Sequence, residues 1–145
     1  MVVRVRLRVR GRTGQAELPA LVNSGFEADG PQLILPVEVA QELGLLDEAR
    51  ALEAFEVAGG GRALGYRIMR PIEVELVLGD REPVRAEALV TVMPGEAEAV
   101  MSDFLSSELG IVILDARRGI WCLRDEVGRR ERSSYAPGSS RLKGL

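Results

Sequence analysis

The sequence predicts a mainly β domain with one or two short helices, and three observations point to this class. Residues 3–10 alternate apolar residues with arginine, which is the pattern of a strand with one buried face. Further short apolar runs are separated by glycine-containing turns, as in β-hairpins. Only two segments carry helix start and stop signals, and both are short. A chain of 145 residues is long enough for one domain with a substantial core.

Five strands and one helix are predicted in the first half of the chain. Pro36 suits the first turn of a helix that runs through Leu43 and is closed by Gly44. The run Gly59, Gly60 and Gly61 can supply the positive φ angles of a hairpin tip between two strands. The predicted strands cover residues 3–10, 16–22, 32–35, 52–58 and 63–69.

The second half contains four predicted strands, a second helix and a tail. The helix covers Ser102 to Leu109, with Ser102 as its N-cap and Gly110 after its end. The strands cover residues 72–78, 83–93, 111–114 and 120–123. From residue 128 the sequence is rich in Arg, Ser, Gly and Pro, which favours disorder. We therefore predict a β domain over residues 1–127 and a basic, disordered tail over residues 128–145.

Composition excludes several kinds of chemistry. The chain contains no histidine, which rules out Ser-His-Asp and Cys-His nucleophile systems and the commonest zinc and iron ligand sets. Its single cysteine, Cys122, excludes an internal disulfide and agrees with a reducing compartment. We expect no cofactor and no metal ion. Acid and base chemistry would have to come from carboxylates.

Charge is distributed unevenly along the chain. Residues 1–12 carry five arginines and no acid, whereas residues 13–123 carry eight bases and 19 acids. This acidic body argues against a broad nucleic-acid surface. The sequence has no apolar run long enough to cross a membrane and no signal-peptide block at its start, so we expect a cytoplasmic protein without a membrane partner.

Three segments in a fixed order carry a family likeness. The first is Ala20–Gly25, read as Ala-Leu-Val-Asn-Ser-Gly; the second is Leu33–Pro36 followed by Val39–Leu45; the third is Val100–Asp103 followed by Leu109–Asp115. Together they resemble the single-domain, retroviral-type (retropepsin-like) aspartic proteases. The resemblance covers about residues 16 to 123 and implies a closed-barrel acid-protease fold.

The resemblance also implies a homodimer and a site. In this family each subunit supplies one carboxylate, and the two acids share a proton across a two-fold axis. Ser24 and Gly25 match the family loop, in which the serine hydroxyl is expected to brace the turn, but Asn23 stands where the acid belongs. The implied site has no catalytic residue; Asn23, Gly25 and Phe26, together with a flap at Gly59, Gly60 and Gly61, would bind a peptide or protein partner. The bulky Phe26 would be able to fill the cleft.

Two alternatives stay open. An active peptidase or other hydrolase could arise by deamidation of Asn23, or by use of the loop acids Glu27 and Asp29. Asp103 is expected to be a helix-start acid and not a catalytic one. A third hypothesis places function at the arginine-rich ends, Arg4–Arg10 and Arg129–Lys143, which would bind an anionic partner. The simpler interpretation of the first end is a solvated outer strand face.

Overall fold

A computed structural model describes residues 2–56 and 61–136, with the backbone alone for residues 51–56 and 63. Within these ranges the chain forms ten strands, two α-helices and two 3₁₀ turns. The strands are β1 (Arg4–Arg10), β2 (Gln15–Val22), β3 (Gln32–Leu35), β4 (Ala49–Glu56), β5 (Arg62–Ile68), β6 (Ile72–Leu76), β7 (Val84–Val92), β8 (Ala99–Met101), β9 (Ile111–Asp115) and β10 (Ile120–Leu123). The helices are α1 (Val37–Glu42) and α2 (Asp103–Glu108), and the 3₁₀ turns are Leu46–Glu48 and Arg124–Glu126.

Six strands close into a barrel. Their order is β3-β8-β2-β1-β6-β7, and a parallel pairing of β3 with β7, from Gln32 opposite Leu89 to Leu35 opposite Val92, closes the ring. Closure satisfies the backbone groups at both edges of the barrel sheet. The predicted mainly β fold with two short helices is confirmed.

The apolar face of each barrel strand fills the interior. On β1 and just before it, the four alternating apolar residues are at most 1% exposed; they are Val3, Val5, Leu7 and Val9. The same alternation in the other strands completes one continuous core. The strict period of two in the sequence therefore predicted both the strand and its buried face.

The first helix ends against the turn between β1 and β2. Gly44 follows α1 with a φ of +70°, a conformation that favours glycine. The backbone N–H of Arg12 donates to the carbonyl oxygen of Leu43 at 2.8 Å. A Cβ atom on Gly11 would lie 2.5 Å from that same oxygen. Gly11 is therefore required by the close approach of two backbone segments.

The second helix begins as the sequence predicts. The Ser102 hydroxyl accepts a hydrogen bond from the backbone N–H of Leu105 at 3.2 Å, which makes it the N-cap of α2. Gly110 follows the helix with a φ of +77°. Strand β8, directly before the helix, was not predicted as a strand. It is only three residues long and pairs with both β2 and β3.

Two features extend outside the barrel. Strands β4 and β5 form a ribbon that is attached to β7 through Tyr66 and Arg67. Strands β9 and β10 form a separate two-stranded sheet, and in the described part of the chain the outer edge of β9 pairs with no other strand.

Residues 128–136, which we call the C-terminal strap, lie against this small sheet and the barrel. Arg132 forms a backbone bridge with Trp121 of β10, and the Tyr135 N–H donates to the carbonyl oxygen of Arg4 at 3.2 Å. The Ser134 hydroxyl accepts from the Arg4 N–H at 3.1 Å. The first part of the predicted tail is thus held by backbone and side-chain hydrogen bonds, which its polar composition did not indicate. Residues 137–145 lie outside the described residues.

Across the part of the chain that is described, neither helix has the length or apolar character needed to span a bilayer.

Candidate functional site

The candidate site lies in the loop that follows β2. Asn23 is exposed directly after the buried end of the strand, and its N–H donates to the carbonyl oxygen of Met101 at 3.3 Å. The Phe26 N–H donates to the Asn23 carbonyl oxygen at 3.0 Å, which closes a turn. Inside this turn the side-chain oxygen of Asn23, Oδ1, accepts from the Gly25 N–H at 3.0 Å. The side chain therefore folds back onto its own loop in an Asx turn.

Gly25 allows this turn because the space beside it is narrow. A Cβ atom at position 25 would lie 3.3 Å from Asn23 Oδ1, a tight contact. The Ser24 hydroxyl was expected to brace the loop. Ser24 is exposed, and its hydroxyl makes no hydrogen bond to any residue that the structure describes. The Asn23 side chain, and not Ser24, holds the loop within a single chain.

The rest of the loop is attached to the start of α2. The Asp103 N–H donates to the Phe26 carbonyl oxygen at 2.9 Å, and Asp103 Oδ1 accepts from the Ala28 N–H at 3.2 Å. Asp103 is the first residue of the helix, so the expectation of a helix-start acid is confirmed. Its carboxylate fixes the loop that carries Asn23.

Ser102 contributes more than the sequence indicated. Its fully buried hydroxyl accepts from the Gln32 N–H at 3.0 Å as well as from the helix, and it donates to the Gly30 carbonyl oxygen at 3.4 Å. The N-cap preference predicted only the contact with the helix. The second link joins the helix to the far end of the Asn23 loop, and no local pattern could predict it because Gln32 is 70 positions away.

The remaining residues of the predicted site occupy the surface of the same loop. Phe26 is half-buried, whereas Glu27 and Asp29 are exposed. Next to them lies a groove of about 390 Å³ lined by Ala28, Asp103, Phe104, Ser107 and Glu108. The loop acids thus face solvent beside a groove with an acidic and partly aromatic lining.

The predicted glycine flap is only partly described. Gly59 and Gly60 lie outside the described residues, while Gly61 is exposed before β5. Leu64 and Tyr66 on β5 are 56% and 42% exposed. They are two residues apart on the strand and so project from the same face of the ribbon.

The arginines of β1 are neutralised by acids on β2 and β6 and in the loop before β8. Arg4 forms a bidentate ion pair with Glu98, with nitrogen–oxygen distances of 2.7 and 3.0 Å. Glu17 of β2 accepts from both Arg6 and Arg8. Burial acts to raise the pKa of Glu17, but the hydrogen bonds from the two arginines outweigh it, and the pKa is lowered. The predicted solvated face is instead a half-buried layer of ion pairs.

A second cluster of charges holds the C-terminal strap. The buried carboxylate of Glu126 accepts from Arg132 at 2.9 and 2.7 Å, from Arg81 at 3.2 Å and from the Leu123 N–H at 3.0 Å. Hydrogen bonding to Arg132 is the main cause that lowers the pKa of Glu126 to about 2. Arg132 also pairs with Asp80 and lies 5.7 Å from the centre of the Trp121 ring. Sequence reasoning missed this cluster because Arg81 and Asp80 lie 45 and 52 positions from Glu126 and Arg132 in the chain.

The described residues contain no group of three or more acidic, cysteine or histidine side chains placed to hold a metal ion. The candidate site consists of an exposed amide in an Asx turn, attached to a helix start, beside an acidic groove.

These features define a retropepsin-like aspartic-protease fold with an amide in the exposed loop after the second strand. The protein is similar in structure to the retroviral protease-like domain of Ddi1 from Leishmania major, with a TM-score of 0.54 and 14% sequence identity, covering 100% of this chain and 98% of that one. No family model and no curated protein matches the sequence. At this identity the likeness establishes the fold, and it confirms the predicted barrel.

Proposed function

We propose that the protein is a catalytically silent homodimer that binds a peptide or protein partner beside its two Asn23 loops. The observation that carries the proposal is the exposed Asn23 amide in the loop after β2, within a retropepsin-like fold. An amide does not titrate in the physiological range, so it cannot remove a proton from water. A pair of such loops would orient a bound partner without activating water for hydrolysis.

The edge of β9 supports the homodimer. Its sequence is Ile-Val-Ile-Leu-Asp, and Leu114 is 41% exposed. An apolar strand with a free edge is an association site unless something covers it. Two copies related by a two-fold axis can pair their β9 edges in antiparallel fashion and form one four-stranded sheet. This pairing would satisfy the backbone groups along the edge and bury Leu114.

The ribbon of β4 and β5 supports binding of a partner with apolar side chains. Leu64 and Tyr66 expose apolar surface on one face, and the half-buried Phe26 adds an aromatic ring in the Asn23 loop. Exposed aromatic and aliphatic residues of this kind are typical of interaction surfaces. A partner that contacts these side chains would be an extended peptide or the surface of another protein.

The dimer can be tested by sedimentation velocity over a range of protein concentrations. We expect the wild type to sediment as a dimer and Leu114→Lys to sediment as a monomer, because a lysine on an edge strand opposes strand pairing. The matched control is Met69→Lys, since Met69 is 63% exposed and lies outside the β9 edge. Dimers of Leu114→Lys as stable as those of the wild type would contradict the proposed interface.

Partner binding can be tested separately with a peptide library and mass spectrometry. Freshly purified protein should retain a subset of peptides, and these should be recovered uncut. Tyr66→Ala should weaken their retention while leaving the dimer intact, because Tyr66 is 42% exposed and lies outside the buried core cluster and the β9 edge. Cleaved peptides from protein whose residue 23 is verified as asparagine would show that the site is not silent.

The alternative of an anionic partner at the arginine-rich ends is less well supported. Arg4, Arg6 and Arg8 each pair with a carboxylate from the acidic body. Their charges are therefore compensated within the chain. A phosphate ligand would have to displace these carboxylates before it could bind.

A further inference from the structure

We propose that Asn23 is a self-modification site at which the chain slowly converts its own amide into a carboxylate by deamidation. This inference concerns the chemistry of the loop within one chain and does not depend on the proposed function. If the proposed function also holds, the modification changes the charge of the binding site. Asn23 is the only asparagine in the chain, so the reaction has one asparagine target.

The loop uses Asn23 only as a hydrogen-bond acceptor. Oδ1 accepts from the Gly25 N–H at 3.0 Å, whereas the side-chain NH₂ group donates to no residue that the structure describes. A carboxylate has two acceptor oxygens and no donor, and its hydrogen bonds to N–H groups are stronger than those of a neutral amide. The turn therefore loses no hydrogen bond within the described chain when the NH₂ group leaves. It accommodates aspartate at least as well as asparagine.

The loop also leaves the attacking atom accessible. Deamidation requires the backbone nitrogen of the next residue to reach the side-chain carbon, Cγ. The Ser24 N–H takes part in no backbone hydrogen bond with the described residues, and both residues are exposed to water. The hydrogen bond from Gly25 to Oδ1 draws electron density away from Cγ and makes it more open to attack. Asparagine is in general among the thermally labile residues.

The reaction balances with water as the only co-reactant. The Ser24 nitrogen loses its proton and forms a bond to Asn23 Cγ; the bond from Cγ to the side-chain nitrogen breaks, and ammonia leaves. Water then adds to one of the two carbonyl carbons of the cyclic imide. Opening at Cγ gives aspartate, and opening at the backbone carbon gives isoaspartate. The net change is amide plus water to carboxylic acid plus ammonia, with a gain of about one mass unit.

In a homodimer of the proposed kind, the product would introduce one or two carboxylates where two amides stood. Two acids near a two-fold axis repel each other, and one of their pKa values rises. The silent dimer would then be the starting form of a protein whose binding site gains a titratable group with time.

The test is intact mass and peptide mapping of the full chain, incubated at 37 °C at pH 5 and pH 8. We expect a gain of about one mass unit at residue 23, faster at pH 8 because the Ser24 nitrogen must lose a proton. A synthetic peptide covering residues 18–30 serves as the unfolded reference. If the peptide gains the mass and the folded chain does not, the loop protects the amide and the proposal is overturned.

Two variants identify the nucleophile. Ser24 is exposed, so Ser24→Gly and Ser24→Val should both fold. Glycine leaves the backbone nitrogen unobstructed and should speed the gain in mass, whereas branched valine should slow it. Equal rates in the two variants would exclude attack by residue 24. The product is tested with Asn23→Asp in the Leu114→Lys background, where no second carboxylate is brought near by dimerisation. This variant should melt at the same temperature as Leu114→Lys alone or higher; a lower melting temperature would contradict the claim that the turn accommodates a carboxylate.

Discussion

The carboxylate of Glu126 should be a main support of the C-terminal strap, and Glu126→Gln should destabilise the protein. The substitution keeps the shape of the side chain but removes the charge that Arg132 and Arg81 bind. The pKa of Glu126 is lowered from its ordinary value of 4.5 to about 2. A difference of this size corresponds to about 3 kcal/mol of folding free energy at neutral pH. For a domain of this length the melting temperature should fall by roughly 10 °C.

The pH dependence provides a second check on the same residue. Because the folded pKa lies below the unfolded one, the stabilisation is complete above about pH 5 and is lost as pH falls towards 2. The free energies of unfolding of wild type and Glu126→Gln, measured in urea, should therefore differ most at pH 7 and become equal near pH 2. The control is Glu131→Gln in the same strap, since Glu131 is exposed and has no ion pair among the described residues. The role of Glu126 would be refuted if the substitution lowers the free energy of unfolding by less than about 1 kcal/mol at pH 7. It would also be refuted if the difference between the two proteins is independent of pH.

Two further substitutions test the contacts that hold the loop and the first helix. Ser102→Ala should cost about 1 kcal/mol in urea unfolding, because it removes the helix cap and one of the two acceptors of the Gln32 N–H, whereas exposed Ser107→Ala should cost little. Gly11→Ala should lower stability by more than about 2 kcal/mol, since the new methyl group would lie 2.5 Å from the Leu43 backbone oxygen. Wild-type melting temperatures in either variant would show that these contacts are not stabilising.

Much of the barrel could be predicted from the sequence because its signals are local. The alternation of Val3, Val5, Leu7 and Val9 requires one buried face, and the structure buries all four. Helix α2 was predicted from Ser102, whose hydroxyl does cap it. The loop motif at residues 23–25 could likewise be recognised in the sequence as Asn-Ser-Gly.

The remaining features depend on contacts between distant segments. Strand β8 is three residues long and exists because β2 and β3 pair with it on either side. The arginines of β1 were interpreted as solvated, but Glu17 on β2, Glu75 on β6 and Glu98 in the loop before β8 approach them from distant parts of the chain. The composition of residues 128–136 favours disorder. Composition does not indicate that Arg132 pairs with Glu126 and Asp80 in the folded chain.

We propose that paired Asn23 loops bind a partner without cutting it. The most direct measurement is the peptide-library experiment on freshly prepared dimer, with residue 23 confirmed as asparagine by mass and Asn23→Asp examined in parallel. We expect the wild type to release its bound peptides intact, and any cleavage to be confined to the aspartate form. Cleavage by the verified asparagine form would contradict the proposal of a silent site. If Glu27→Gln or Asp29→Asn abolishes that cleavage, the loop acids are the catalytic residues.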